Sequence, residues 1–261
     1  MDISLILIIL LGMWSLDIYM KNTKTVLVTG GSMRLGRQIC LDLAASGYNI
    51  IVHYNRSKKQ ALELKEKIID LGGECEIIAC NFSNKKEVST LIKRSIKLLG
   101  PLFALVNNAS IFENDNAKNF VNKQWEKHIA INLYAPLKLS QDFFKCLKLG
   151  KKGHIVNILD QNVVNPDTNF FSYSISKAGL HGATKILAKE FAPNIKVNSI
   201  APGPTLRNVH QSEKHFKHKI KKTILKVGSP PKEISSTIKF ILESKSMTGQ
   251  LIIVDGGEHI V

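Results

Sequence analysis

Two rhythms of apolar positions alternate along the chain. Short β-rich runs recur as TVLVTG from Thr25, YNIIVHY over Tyr48 to Tyr54, CEIIACN from Cys75 and FALVNNAS from Phe103. HIVNILD ending at Asp160, KVNSIAPGPT from Lys196 and QLIIVDGG from Gln250 continue the series. Between them lie longer stretches in which apolar residues return every three or four positions, the period of an amphipathic helix. These run from GSMRLG through Leu43, over Lys58 to Leu71, Lys86 to Leu99, about Asn122 to Cys146, Ser172 to Phe191 and Pro231 to Ser244. Near-continuous apolar runs suit strands covered on both faces. Their strict alternation with helices predicts an α/β fold, a single doubly wound parallel sheet with helices on both faces. No internal repeat interrupts the series, so residues 23–261 are expected to form one domain.

Two stretches depart from the rhythm. Residues 3–16 carry no charge, and Asp17, Lys21 and Lys24 follow. The run is short of the roughly 20 residues of a membrane span, and it lacks the basic start and small-residue cleavage site of a secretory signal. Residues 1–22 are therefore read as an apolar extension: an upstream stretch before a working start at Met20, a peripheral helix or a weak anchor. The second stretch, from Thr205 to Lys226, is dense in Lys and His and is expected to be basic and mobile. Its charge dominates a net +15 only in part, because the other lysines are spread over polar helix faces. No aromatic-interleaved basic motif appears, so a nucleic-acid partner is not expected. Four cysteines without a CxxC pair or metal-ligand spacing fit reduced thiols in the cytoplasm and no metal site.

Candidate chemistry enters at the strand ends. After the first strand, Gly30, Gly31 and Gly36 bracket Arg34 and Leu35 in a turn that opens a helix. Such a turn lets backbone amides approach a pyrophosphate. The second strand ends in His53-Tyr54-Asn55-Arg56-Ser57, where an NAD site usually offers an acid to the ribose 2′-hydroxyl. Donors without a carboxylate, with Arg34 nearby, fit a 2′-phosphate and hence NADPH; the other reading is a patch of surface polar residues. Asn81 and Phe82 end the third strand, where they could flank an adenine, and Asn108, Ala109 and Ser110 end the fourth. Asn132 sits in an apolar context (IAINLYAPL), so its amide is either structural or part of a polar relay. Tyr173 and Lys177 stand four apart on one helix face. An ammonium beside a phenol favours the phenolate, so the pair is expected to bring the phenol's pKa towards working pH.

Taken in order, TG-x-x-x-R-x-G at Thr29 to Gly36, NNAS at Asn107 to Ser110, Tyr173-x-x-x-Lys177, PGPT at 202–205 and a terminal VDGG resemble the short-chain dehydrogenases/reductases, over roughly residues 23–258. Within that family Arg34, the HYNRS strand end, NNAS and Asp160, thirteen before the tyrosine, resemble pteridine reductases and the bacterial dihydromonapterin/dihydrofolate reductases. The resemblance implies a Rossmann-type fold and an NADPH-dependent reductase. Tyr173 is its proton donor, and Lys177 binds the nicotinamide ribose and lowers the tyrosine's pKa. Asn132 holds a water near the lysine, and the Asn108–Ser110 turn and Pro202-Gly203 lie beside the cofactor. Phe112 matches the aromatic that stacks on a pterin, with Ser110, Asp160 and Tyr173 around it. The resemblance also implies a homotetramer built on the helices carrying Asn132 and Tyr173, with Leu180, Ala183, Ile186 and Leu187 as candidate outer positions or as sheet-facing ones. Asp160 bears on the substrate directly. A hydroxyl there would stabilise the oxyanion of a carbonyl taking hydride, whereas a carboxylate repels it and suits a C=N bond whose nitrogen needs a proton. A 3-oxoacyl-carrier-protein reductase and a non-catalytic member of the fold are the alternatives.

Overall fold

The apolar runs form strands, and pairing in parallel forces each of them to be covered twice. In a computed structural model, which describes residues 24–166, 168–207 and 212–261, seven strands make one sheet. They are β1 (Thr25–Val28), β2 (Asn49–Tyr54), β3 (Cys75–Ala79), β4 (Leu102–Asn107), β5 (Gly153–Ile158), β6 (Ile195–Pro202) and β7 (Leu251–Val254). All pairs are parallel, in the order β3-β2-β1-β4-β5-β6-β7. Alternate side chains leave each strand on opposite faces. Val26, Val28, Ile50 and Val52 therefore pack with one set of helices, and Leu27, Ile51, Leu105, Ile155 and Val197 with the other. The first set is α1 (Arg34–Ala45), α2 (Lys58–Asp70) and α8 (Pro231–Glu243); the second holds α3 (Lys85–Leu99), α5 (Ala135–Cys146) and α6 (Phe171–Glu190). The expected α/β architecture with helices on both faces is what the chain adopts.

Two elements differ from expectation. The helix expected over about 122–146 is broken: α4 (Asn122–His128) is followed by a π-helical turn, Ile129–Tyr134, before α5. Pro136 has no N–H for the carbonyl four residues back, that of Asn132, and its ring crowds that carbonyl. A locally widened turn relieves the clash. The segment expected to be mobile contains α7 (Glu213–Lys222). Ser212 Oγ accepts from His215 N at its start. At its end the buried Thr223 hydroxyl lies 2.9 Å from the carbonyls of Ile220 and Val227, and Leu225 N donates to Gly256 O. The apolar extension 1–22 lies outside the described residues. Among the described residues no helix is long and apolar enough to cross a membrane.

Because β2 and β3 lie on one side of β1 and β4 on the other, the chain reverses direction across the sheet between β1 and β4. The loops leaving their C-terminal ends diverge there and open a crevice. A cleft of about 1250 Å³ runs along this edge.

Candidate active site

The turn after β1 is fastened to the end of β4 by one threonine and one asparagine. Thr29 Oγ1 accepts from the backbone N–H groups of Asn108 and Ala109 and donates to Val106 O. Asn108 Nδ2 donates to the carbonyls of Thr29 and Gly30. Asn108 thus braces the turn as well as lining the cleft. Gly30 adopts φ +60°, where side chains are rare, and a Cβ on Gly36 would fall 2.1 Å from Gly30 O. The turn is held this tightly against the start of α1 only because both positions lack a side chain.

Of the residues expected at the end of β2, His53, Tyr54, Asn55 and Ser57 line the cleft. His53 lines the cleft with neither ring nitrogen free: Nδ1 accepts from Gly30 N at 2.9 Å, and Nε2 donates to Cys80 O at 3.0 Å. Its ring stacks on buried Phe82 at 4.4 Å. Burial lowers its pKa to about 4, so it is a neutral strut between the glycine turn and the end of β3. Phe82 and Tyr54 line the cleft but are mostly packed into the core. Asn81 does not line it; its side chain accepts from Ser83 N while its own N–H goes to Glu87. Arg56 is exposed beyond the strand end and off the cleft wall. Arg34, in the left-handed region at φ 52°, lines the cleft. Its guanidinium donates to the carbonyls of Leu206 and Arg207 at 3.2 and 2.9 Å. What stands at the strand end is Asn55, Ser57 and a residue the sequence reading passed over, Ser32, whose Oγ lies 2.7 Å from Ser57 Oγ. The carboxylates lining the cleft are Glu113, Asp160 and Glu258, none of them on β2. This donor set, with the bare glycine turn beside it, fits a dinucleotide carrying a phosphate where a ribose diol would need an acid.

At the other end of the cleft, β5 delivers Asp160 and α6 delivers Tyr173 and Lys177. Tyr173 Oη donates to Asp160 Oδ2 at 2.7 Å, while Asp160 Oδ1 accepts from Asn162 N and caps the short turn that follows. The carboxylate therefore both caps and holds the phenol. Burial, then the charge of Asp160 and its hydrogen bond, raise the Tyr173 pKa well above the ordinary phenol value. The expected lowering by Lys177 does not occur. Nζ lies 5.7 Å from the ring centroid and donates to Ile158 O at 2.7 Å. Burial lowers the lysine's own pKa to about 8, with the charge of Asp160 opposing. Asn132, on the π-helical turn, is fully buried behind the cleft wall. Its Oδ1 accepts from Ser110 Oγ and Ile111 N, and its Nδ2 donates to Ile111 O and Ser176 Oγ. The amide thus ties the loop after β4 to the tyrosine's helix.

Phe112 stands beside this centre, edge-on to Tyr173 at 4.7 Å and stacked on Phe170 at 4.1 Å. Phe170 has φ 65°, and no motif marks it in the sequence. The start of α6 is held by Asp115, also missed. Its buried carboxylate accepts from Ser172 N and from Ser172 Oγ, a negative charge at a helix N-terminus. Pro202 and Gly203 line the cleft, and Gly203 N donates to Val254 O and Ser229 Oγ. From α7, His215, Phe216 and Lys219 complete the wall. All four cysteines are free, and no group of metal-ligating residues occurs among the described residues.

Comparison with known proteins matches this geometry to a family. The sequence pattern described as "short chain dehydrogenase" fits residues 24–218. The 3-oxoacyl-acyl-carrier-protein reductase FabG of Staphylococcus aureus is 31% identical over 246 residues, 92% of this chain and 100% of that protein. Among solved structures, FolM alternative dihydrofolate reductase 1 from Brucella canis, complexed with NADP, is 37% identical. It covers 91% of this chain and 94% of that one with a TM-score of 0.89. A blue fluorescent protein from a metagenomic library, in complex with NADPH, is 26% identical over 90% and 97% of the two chains, with a TM-score of 0.83.

Proposed function

The chain belongs to the short chain dehydrogenase family, and from that premise we propose that it is an NADPH-dependent reductase of the C=N bond of a dihydropterin or dihydrofolate. The observation that carries this reading is the Tyr173–Asp160 hydrogen bond. NADPH, when bound along the cleft, would supply the hydride. Ser32, Asn55 and Ser57 would hold its 2′-phosphate, the glycine turn and Asn108–Ser110 its pyrophosphate and ribose, and Pro202-Gly203 the nicotinamide amide. Lys177 would serve the nicotinamide ribose. Tyr173 gives its proton to the substrate nitrogen, and Asp160 aims the phenol.

The Asp160 carboxylate bonded to the phenol supports an imine substrate. A ring nitrogen that receives the electron pair of a C=N bond becomes far more basic than the alkoxide formed from a ketone. It can draw a proton from a phenol that a neighbouring carboxylate keeps protonated. The same carboxylate lies where a developing alkoxide would be repelled. Phe112 offers an aromatic surface beside Tyr173, suited to a flat bicyclic ring. The similarity to a solved dihydrofolate reductase of the FolM type supports the same substrate class.

A second reading, reduction of a 3-oxoacyl thioester, is favoured by the curated relatives at 31% identity. NADPH oxidation with dihydropterin, dihydrofolate and acetoacetyl thioester separates the two. Turnover of the pterins with the thioester untouched is expected; turnover of the thioester alone overturns the reading.

A further inference from the structure

We propose that the cleft takes a pterin whose distal tail ends in a carboxylate, and that Lys219 with His215 of α7 are the residues that select it. The inference rests on the pterin reading above and adds the tail. His215 and Lys219 stand four apart, so they share a helix face, and both line the same cleft as Phe112, Asp160 and Tyr173. Phe216 lines it between them and is half-buried.

Three carboxylates, Glu113, Asp160 and Glu258, line the same cleft, and none of them is paired with Lys219. Glu213, the acid of α7, pairs with Lys217 at 2.7 Å, and neither Lys217 nor the remaining basic residues of that helix line the cleft. Glu113 pairs with Lys127, and Asp160 is taken by Tyr173. Lys219 is half-buried and has no ion pair among the described residues. A partly desolvated ammonium without a counter-charge gains from an anion brought by a ligand. The rotation of α7 that aims Lys219 inward is set by packing rather than charge. Ile220 lies against Gly228, and the buried Thr223 fastens the helix end to the Val227 carbonyl. A neutral pterin fills the aromatic end and leaves this wall unused. A conjugate with an aromatic spacer and a terminal acid, the chemistry of dihydrofolate, meets Phe216 and then Lys219.

The test compares kcat/KM for dihydrofolate and for a neutral 6-hydroxymethyl dihydropterin in the unmodified enzyme and in Lys219→Ala, Lys219→Glu and Lys219→Arg. Calorimetric titration of folate into the NADP⁺ complex gives a second readout, independent of turnover. The dihydrofolate-to-pterin ratio should fall about tenfold in Lys219→Ala, further in Lys219→Glu, and recover in Lys219→Arg. Folate affinity should follow the same order. Lys221→Ala, on the outer face of α7, should leave the ratio where it was. A ratio and an affinity that do not move in Lys219→Glu overturn the tail inference and leave the pterin reading standing. Failure of the unmodified enzyme to reduce either pterin overturns both.

Discussion

Asp160 illustrates how one side chain sets the chemistry of a shared scaffold. One carboxylate oxygen is spent on the following turn and the other on the phenol, so the group can neither swing away nor act as a hydroxyl. The cofactor end has a comparable single-residue determinant. Ser57 and Ser32 face each other at the end of β2 with no acid between them and the cleft. Ser57→Asp places a carboxylate where the 2′-phosphate would lie, and like charges at such distance cost several kcal/mol. The preference for NADPH over NADH should drop by at least about tenfold, read from KM for each cofactor. An unchanged ratio would remove Ser57 from the phosphate site. Arg34, the other expected cofactor contact, also lines the cleft, and its guanidinium bonds to the carbonyls of 206–207.

Among the elements, the glycine turn depends on a neutral histidine. Gly30 N donates to His53 Nδ1, and protonating that nitrogen abolishes the bond. The unfolded chain binds this proton below about pH 6.5 and the folded chain only below about 4. Stability is therefore complete above pH 6.5 and is lost as the pH falls towards 4, by about 3 kcal/mol. Buried His154, lowered to about 4 by burial, acts in the same direction. Urea midpoints between pH 7 and 4 should fall accordingly. His53→Gln, which keeps a donor and an acceptor, should flatten the slope; an equal slope would show that other groups carry it.

How much of this was legible in the chain follows from what each element depends on. Strand and helix order was, because burial on both faces writes itself as uninterrupted apolar runs such as TVLV and NIIVHY. The π-helical turn was not, since IAINLY has the same apolar rhythm as a helix and only Pro136 hints at the break. Nor was α7, whose EKHFKHKIKK places just Phe216 and Ile220 on an apolar face. Tyr173 and Lys177 were found by spacing, and Asp160 by the family resemblance. His53 lines the cleft as expected of a cofactor-site residue, but its bracing role was not legible, because both its partners, Gly30 N and Cys80 O, are backbone atoms that side-chain patterns do not report. Asp115 sits in a loop with no motif, and its partner Ser172 lies 57 residues away.

For the whole molecule, the outer face of α6 bears on assembly. Leu180 is buried and Leu187 packs towards the core, so two of the four positions considered for an interface face inward. Ile175, Ala178, Gly179, Gly182 and Ile186 are exposed instead, with Ile186 at 63%. We propose that this small and apolar stripe packs against a second copy within a homotetramer. Sedimentation at micromolar concentration should show the tetramer, and a lone monomer would contradict it. The most direct test of the reaction returns to the one carboxylate around which the site is arranged. Turnover of folded, NADPH-saturated Asp160→Ser is measured with dihydropterin and with acetoacetyl thioester. Loss of the group that aims the phenol should lower pterin turnover by about 10²- to 10⁴-fold, while thioester reduction holds level or rises as a hydroxyl replaces the repelling charge. Undiminished pterin turnover in Asp160→Ser would contradict imine reduction assisted by this residue.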